Sequence, residues 1–149
     1  MDSEPIRLRI TSLAAGGDAV GRLEDGRVVF VEGGVPGDLV ELEGVSFAKR
    51  MARARAGRVL EASPVRTQPR CPHFGICGGC SWQHIGYAAQ LEAKRQIVRD
   101  ALERIGRLRI EDEVEILESP DPYGYRARAR LVEKAGGVGY RKRGSRDCI

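Results

Sequence analysis

Short stretches of alternating apolar and polar residues, separated by glycine-rich turns, fill the first part of the chain. Residues 6–10 and 38–43 alternate strictly, as strands do when one face is buried and the other meets water. Asp25 and Gly26 form a strong hairpin signal between two apolar runs. The pattern predicts five short strands that close into a small barrel of the OB type. The predicted strands cover residues 6–10, 20–23, 28–31, 38–47 and 51–61.

The residues around these strands are typical of turns and linkers. Residues 16–21 contain three glycines and look like a phosphate-binding loop. A strand pattern follows them where such a loop needs a helix, so a plain turn is favoured. Residues 63–70 contain two prolines and no apolar periodicity, which indicates an extended linker.

A helix and a hairpin are predicted in the second half. Apolar residues recur at helical spacing over residues 86–105, and the glycine that follows is expected to end the helix as a C′ residue. Residues 114–117 form a plausible strand. Residues 125–132 alternate arginine with apolar side chains, and a Gly-Gly pair is expected to turn the chain into a second strand over residues 138–143.

Composition limits the size and setting of the fold. The chain has 149 residues, of which 42% are hydrophobic and 5% aromatic, with 19 glycines. This length fits one ordinary domain or two small ones. No apolar stretch approaches the roughly 18 residues of a membrane span, and residues 1–7 lack the pattern of an export signal. We therefore expect a cytoplasmic protein without a membrane partner, and we expect a monomer.

Positive charge is concentrated in two parts of the chain, although the formal net charge is only +4. Residues 46–82 carry seven basic side chains against one acidic, and residues 123–146 carry eight against one. Of the 25 cations 21 are arginine, whose planar guanidinium suits phosphate contacts and stacking on bases. This segregation favours a surface that binds RNA or DNA, although a solvated soluble face is the simpler interpretation.

The candidate RNA contacts lie on two predicted elements. Arg53 and Arg55 share one face of the last barrel strand, and alternate arginines follow along the predicted hairpin. The set consists of Lys49, Arg50, Arg53, Arg55, Arg126, Arg128, Arg130, Arg141, Lys142 and Arg143.

Three of the four cysteines fall within ten residues. Cys71, Cys77 and Cys80 form the pattern C-x5-C-x2-C, and the glycines between them let the backbone bend tightly. Three thiolates aimed at one point usually bind a metal, and both zinc and iron-sulfur clusters normally take four ligands. The remaining cysteine is Cys148, so a fourth thiolate would tie the end of the sequence to this knuckle, residues 71–80.

Spacing alone leaves several interpretations of the cysteines open. An iron-sulfur cluster is favoured, a zinc site completed by His84 is the main alternative, and uncoordinated thiols remain possible. Disulfides rank lowest because no export signal directs the chain to an oxidising compartment. Trp82, the only tryptophan, is expected to cover the metal site and the helix start and not to stack on a base.

The first part of the chain resembles the TRAM domain, a small RNA-binding barrel found on several RNA-modifying enzymes. The resemblance covers about residues 4–62. It is carried by residues 10–13, Gly16, residues 18–21 and residues 29–38.

The barrel and the segment after it together resemble the RNA uracil-5-methyltransferase family, in particular its 23S ribosomal RNA members. In that family three knuckle cysteines and one later cysteine hold a [4Fe-4S] cluster. The resemblance therefore implies Cys71, Cys77, Cys80 and Cys148 as ligands, with His84 structural. It is carried by residues 71–80, Gln83, His84, Tyr87, Gln90, Leu91 and Lys94, and by residues 124–126, 128–130, 139–141 and 147–149.

The family's catalytic groups have no counterpart in the sequence. The resemblance implies a C-terminal Rossmann-like domain, where a cysteine adds to uracil C6 and C5 takes the methyl group of S-adenosylmethionine. No strand here leads into a glycine-rich helix start, and no cysteine is left once four are ligands. We expect no catalytic residue, and S-adenosylmethionine would bind only through that further domain. Whether the chain is an enzyme stays open, and alone it should bind RNA without methylating it.

The expected fold is mainly β with one helix, of the α+β class. A TRAM-like barrel covers residues 1–62, a linker covers residues 63–70, and residues 71–149 hold the iron-sulfur knuckle, the helix and a β-hairpin that begins a central RNA-binding domain. The expected function is the RNA-binding, [4Fe-4S]-carrying N-terminal part of an S-adenosylmethionine-dependent RNA uridine-C5 methyltransferase. Ribosomal 23S RNA is the favoured substrate and transfer RNA the alternative. A stand-alone RNA-binding protein with a structural zinc or iron-sulfur knuckle is the alternative function.

The cluster has two expected roles. As a structural cross-link it would fix the knuckle, the helix and the hairpin relative to one another, where a small segment cannot build a core. As a redox sensor it would change RNA binding with oxygen or iron supply. The cross-link is favoured because Cys148 lies so far from the knuckle in sequence.

Overall fold

The barrel predicted from the alternating pattern is present and closed. The structure, a computed structural model, describes residues 4–134 and 136–149. The strands follow the order β1-β2-β3-β5-β4, and β4 pairs with β1 to complete the ring. Strands β3 and β5 are parallel, and the other pairs are antiparallel. The strands are β1 (Arg7–Leu13), β2 (Ala19–Arg22), β3 (Val28–Glu32), β4 (Leu39–Phe47) and β5 (Met51–Glu61).

Alternation along each strand fills the barrel interior. In β1, Leu8 and Ile10 are buried while Arg7 and Arg9 are exposed, and in β5 Ala52 is buried. A slip of one residue in register would put the arginines inside, so the pattern fixes the pairing. Each large apolar side chain here contributes about 1.5–3 kcal/mol through burial. The core consists of Leu8, Ile10, Leu13, Ala19, Val29, Val31, Val35, Val40, Leu42, Ala52, Ala54 and Ile85.

The two predicted turns are confirmed. Asp25 and Gly26 join β2 to β3, and Gly26 has a φ of +86° that glycine adopts without strain. Gly17 lies between β1 and β2 with a φ of +105°, and β2 follows directly. A Cβ on Gly17 would lie 2.7 Å from Cβ of Ser81, so this turn is also a point of close approach to the chain after the knuckle.

The segment predicted as a linker is extended but packs against the rest of the molecule. The N–H of Thr67 donates to the carbonyl of His84 at 2.9 Å, and the N–H of Gly86 donates to the carbonyl of Val65 at 2.8 Å. Ile85, between the two, is only 2% exposed and lies in the barrel core. The segment after β5 therefore holds the start of the helix against the barrel.

The buried carboxylate of Asp38 also holds the segment that follows β5. Its two oxygens accept hydrogen bonds from the N–H groups of Val35 and Ser63, each at 2.8 Å, and its Oδ2 pairs with the guanidinium of Arg66. Arg66 also donates to the carbonyl of Gly33 at 3.0 Å. A charge this deep in the fold is stable because each of its lone-pair positions meets a donor.

The predicted helix is present with a change of winding near its end. The α-helix α1 (Tyr87–Asp100) continues as a π-helical turn, Ala101–Ile105. The helix ends at the expected place, but Gly106 has a φ of −72°, and the left-handed residue is Arg107 at +55°. The expectation of a left-handed C′ glycine is therefore wrong, because the widened last turn moves the reversal one residue on.

The second half contains less regular structure than its sequence predicts. Only β6 (Val132–Lys134) and β7 (Gly137–Gly139) pair as the hairpin. The strands predicted over residues 114–117 and 125–131 are absent. Their apolar side chains have no sheet to pack on, and Leu117 is 94% exposed. After Leu91 no described residue is buried. No helix in the described ranges is long and apolar enough to cross a membrane.

Candidate cysteine site and nucleic-acid interface

The knuckle is a series of tight turns. The N–H of Phe74 donates to the carbonyl of Cys71 at 3.1 Å, and the N–H of Cys77 donates to the carbonyl of His73 at 2.9 Å. The sulfur of Cys77 accepts a hydrogen bond from the N–H of Gly79 at 3.3 Å. The backbone of the knuckle is therefore held in place by its own short-range hydrogen bonds.

The end of the described chain returns to the knuckle, as the cluster hypothesis requires. The N–H of Gly78 donates to the carbonyl of Arg141 at 2.9 Å, and Lys142 is paired with Cys77 in an antiparallel bridge. On the other side, Arg141 is paired with Cys148. The two residues 141 and 142 therefore lie between the knuckle and Cys148 and join them through backbone pairing.

The four thiols form a suitable donor set without forming a closed metal site. All four cysteines are free thiols, with Cys80 exposed and the others half-buried. Within the described ranges no three side chains of His, Cys, Asp or Glu are grouped closely enough to hold a metal ion. The donor chemistry and the backbone connections fit a four-cysteine ligand set, and the cluster itself stays a prediction.

His84 has a structural environment. It is 5% exposed, its Nε2 lies 3.3 Å from the carbonyl oxygen of Gly34, and its ring packs on Phe74 with a centroid distance of 5.1 Å. Burial lowers the pKa of His84 below its ordinary value, and the contact with Gly34 opposes this only in part. The burial of the ring and its contacts with Gly34 and Phe74 support the structural role expected for His84 over the alternative as a zinc ligand.

Trp82 contacts both the barrel and the helix. Its indole N–H donates to the carbonyl of Gly17 at 3.0 Å, and its ring packs on the barrel core. The carbonyl of Trp82 accepts a hydrogen bond from Gln90 on α1 at 3.0 Å. The carbonyl of Trp82 contacts the helix, while the side chain lies at the turn between β1 and β2, and a cover of the metal site by the ring stays a prediction.

The cations predicted on the barrel are exposed but differ in their partners. Arg53 and Arg55 point outwards on β5 as expected. Nη1 of Arg53 lies 3.2 Å from Oδ2 of Asp18, so part of its charge is already neutralised. Lys49, Arg50 and Arg55 have no carboxylate within 4.0 Å among the described residues.

The cations predicted on the hairpin are spread over three environments. Arg126, Arg128 and Arg130 are exposed on the irregular segment before β6 and share no strand face. Arg141 and Lys142 are exposed on the paired segment beside the knuckle. The guanidinium of Arg143 instead donates to the carbonyl of Cys80 at 2.5 Å and has its Nε 3.2 Å from Oε1 of Glu32 on β3.

Comparison with known proteins matches the barrel to a domain family and finds relatives of the chain. The family model of the TRAM domain matches residues 3–56. A 23S rRNA (uracil(1939)-C(5))-methyltransferase of Xanthomonas oryzae pv. oryzae is 40% identical over 149 residues, covering 95% of this chain and 33% of the relative. The corresponding enzyme of Azoarcus sp. is 42% identical, covering 87% of this chain and 30% of the relative. Residues 3–56 form a TRAM domain, and the chain is similar to about a third of the length of proteins that are named RNA uracil-C5 methyltransferases.

Another relative and a crystal structure agree with this assignment. An uncharacterized RNA methyltransferase of Gloeobacter violaceus is 43% identical over 126 residues, covering 85% of this chain and 28% of the relative. The structure of the Pyrococcus abyssi tRNA (uracil-54, C5)-methyltransferase with S-adenosyl-L-homocysteine is 32% identical with a TM-score of 0.60, covering 90% of this chain and 28% of that chain. The chain thus spans about a third of the length of the curated relatives it matches.

Two structural features of the TRAM domain were not predicted from the sequence. Asp38 was read as the first polar residue of an alternating strand, and its role as a buried anchor for Ser63 and Arg66 has no local signal. Glu32 at the end of β3 contacts Arg143, which connects the TRAM barrel to the knuckle side of the molecule. Both contacts join residues far apart in sequence, which a periodicity cannot reveal.

A glycine substitution tests whether Cys148 is held as described. A Cβ on Gly139 would lie 2.0 Å from the carbonyl oxygen of Ile149 and 2.8 Å from the sulfur of Cys148, so Gly139→Ala must displace the terminal residues. We expect hydrogen exchange of the amides of Ile149 and Lys142 to accelerate on the order of tenfold. In the control, Gly137→Ala, the nearest atom would be 3.7 Å away, and exchange should stay near the wild-type rate. Equal exchange in both variants would contradict this arrangement.

Proposed function

We propose that this chain is the RNA-binding part of an S-adenosylmethionine-dependent RNA uridine-C5 methyltransferase that acts on 23S ribosomal RNA. The observation that carries the proposal is the match to the Xanthomonas oryzae pv. oryzae 23S rRNA enzyme over 95% of the chain. At 95% coverage the match extends far beyond residues 3–56, which the TRAM domain model matches. The methyl donor would bind to a part of the enzyme that has no counterpart here, since the chain spans a third of that relative.

The proposal includes a [4Fe-4S] cluster held by Cys71, Cys77, Cys80 and Cys148. Two features support this ligand set: the thiols are free, and residues 141–142 join the knuckle to Cys148 through backbone pairing. The cluster would supply a cross-link between segments that share little core, because no described residue after Leu91 is buried. The proposal places the protein in the cytoplasm, where thiols stay reduced, and takes it to be a monomer.

RNA would contact the exposed cations of the barrel and of the segment before β6. Arg126, Arg128 and Arg130 extend from irregular structure, where an arginine can follow a flexible phosphate backbone. Lys49 and Arg50 lie at the turn between β4 and β5, while Arg55 is exposed on β5. Contacts of this kind position the RNA, and the base to be modified would be read elsewhere.

The proposal predicts salt-sensitive binding to a fragment of 23S ribosomal RNA. Each phosphate contact with single-stranded RNA changes the slope of log K against log salt by about 0.7. Replacing Arg126, Arg128 and Arg130 by glutamine should weaken binding and reduce the slope by about 2 if each of them meets a phosphate. Titration at several salt concentrations, with a transfer RNA of equal length as competitor, measures both effects. Affinity that does not change with salt would exclude the RNA role, and tighter binding of transfer RNA would exclude the 23S preference.

A further inference from the structure

A basic cleft lies where three parts of the molecule meet. Its volume is about 590 Å³, and it is formed by the turn after β1, the knuckle and the loop that follows β7. The lining contains four cations and no carboxylate. The lining residues are Gly16, Gly78, Ser81, Arg141, Lys142, Arg143, Gly144, Ser145 and Arg146.

Three of the four cations are free to meet a ligand. In the described part of the chain no carboxylate lies within 4.0 Å of Arg141, Lys142 or Arg146. The neighbouring carboxylate, Asp147, is paired with Lys134 outside the cleft lining. Lys49, Arg50 and Arg55 on the barrel are equally unpaired in the described residues, but they are not part of this lining. The lining gathers three unpaired cations at one site, where their fields add to attract an anion.

The cleft is built before any ligand arrives. The N–H of Arg143 donates to the carbonyl of Ile76 at 2.8 Å, and the N–H of Lys142 donates to the carbonyl of Asp147 at 2.8 Å. The N–H of Asp147 donates to the hydroxyl of Ser145 at 3.0 Å, which closes the loop on itself. Arg143 is held by Cys80 and Glu32, so it positions the loop. A preorganised loop loses little conformational entropy on binding.

Small residues keep the cleft floor open. A Cβ on Gly16 or on Gly144 would meet no atom within 4 Å, and both have a positive φ, +100° and +63°. Ser81 adds a hydroxyl to the lining. The backbone at Gly16 and Gly144 is therefore open to a phosphate oxygen, and the three free cations belong to the same lining.

We propose that the basic cleft binds a phosphodiester group of the RNA, with Arg141, Lys142 and Arg146 as its contacts and Arg143 as a positioning residue. This inference rests on the proposed function, since it takes RNA as the ligand. It assigns the terminal loop and the turn of the TRAM barrel to one phosphate site. It also places the RNA contact beside the cysteines, because the cleft lining includes Gly78 of the knuckle and Ser81, which follows the knuckle directly.

The double variant Lys142→Gln with Arg146→Gln tests the cleft. We expect its affinity for the 23S ribosomal RNA fragment to fall by about tenfold and its salt slope to fall by about 1.4. The matched control, Arg104→Gln with Arg109→Gln, removes two exposed cations outside the cleft lining. Its slope should stay within about 0.3 of the wild-type value.

A second variant adds charge without removing a cation. Ser145→Asp places a carboxylate in the cleft while keeping an oxygen that can accept from the N–H of Asp147. We expect about a tenfold loss of RNA affinity here too, with unchanged fluorescence of Trp82 as the folding control. The proposed phosphate site would be wrong if the cleft double variant and the control double variant lost equal RNA affinity, or if Ser145→Asp kept full affinity. RNA binding by the chain would still stand in either case. A wild-type chain that binds no RNA would overturn the proposed function itself.

Discussion

Replacement of Asp38 by asparagine is expected to destabilise the barrel by about 3 kcal/mol, the largest effect of any single side chain that we foresee. The carboxylate is fully buried and bonded to Val35, Ser63 and Arg66. Asparagine offers one carbonyl oxygen in place of two charged ones. It would leave the Arg66 guanidinium without its counter-charge in a partly buried position, and an unpaired buried charge costs more than the pair contributes.

An exposed ion pair provides the control for this prediction. Arg9 on β1 and Glu61 on β5 lie with 2.5 Å between Nη2 and Oε2, but their side chains are 51% and 60% exposed. Glu61→Gln should therefore change the free energy of unfolding by only about 0–1 kcal/mol. Urea unfolding followed by the fluorescence of Trp82, which packs on the barrel, measures both variants. Similar midpoints for the two would show that burial of Asp38 contributes nothing.

The stabilisation of the fold by the Asp38 carboxylate is expected to depend on pH. Burial raises the pKa of Asp38, but the hydrogen bonds from Arg66, Ser63 and Val35 outweigh it, so the pKa lies below the ordinary value of 3.8. A carboxyl with a depressed pKa in the folded state stabilises the fold fully above its unfolded pKa and loses this as pH falls through its folded pKa. The difference between wild type and Asp38→Asn should be full at about pH 6 and shrink below about pH 4. A difference that grows in acid would contradict this sign.

The parts of the fold that sequence could predict are those set by neighbours along the chain. The strands of the barrel follow from the alternation of residues such as Leu8 and Ile10, and the turn at Gly26 follows from its own chemistry. The Asp38 anchor could not be predicted, because Ser63 and Arg66 lie 25 and 28 residues away. A local pattern has no information about contacts at that separation.

The failures in the second half have a related cause. Residues 125–131 alternate as a strand should, yet Tyr125 is 67% and Leu131 is 48% exposed. Alternation favours a strand only where a sheet and a core accept its apolar face, and neither is present in the described residues around it. For the cysteines, the need for a fourth ligand already suggested an approach of Cys148 to the knuckle, and the family resemblance favoured Cys148 over His84. The physical basis of that approach, the bridges of residues 141 and 142, is visible only in the fold.

Removal of one cysteine is expected to abolish iron binding completely. The chain purified without oxygen should contain about four irons and four acid-labile sulfides, because a [4Fe-4S] cluster takes one thiolate for each iron. Cys148→Ser should lose the cluster although the substitution lies far from the knuckle in sequence. Iron and sulfide analysis with visible absorption measures the loss. A control on the same loop, Arg146→Gln, keeps all four thiols and leaves the hydrogen bond from Asp147 to Ser145 in place, so it should keep full iron content.

Two further variants separate the ligand set from its alternatives. His84→Gln should retain iron, because the ring lies against Gly34 and Phe74 and not among the thiols. About one zinc and no sulfide, lost in His84→Gln and retained in Cys148→Ser, would replace the cluster by a zinc site. Gly139→Ala keeps every ligand but displaces Cys148, so it should lower iron content while Gly137→Ala does not. If both glycine variants bind iron like wild type, the terminal pairing is not what brings the fourth thiolate to the knuckle.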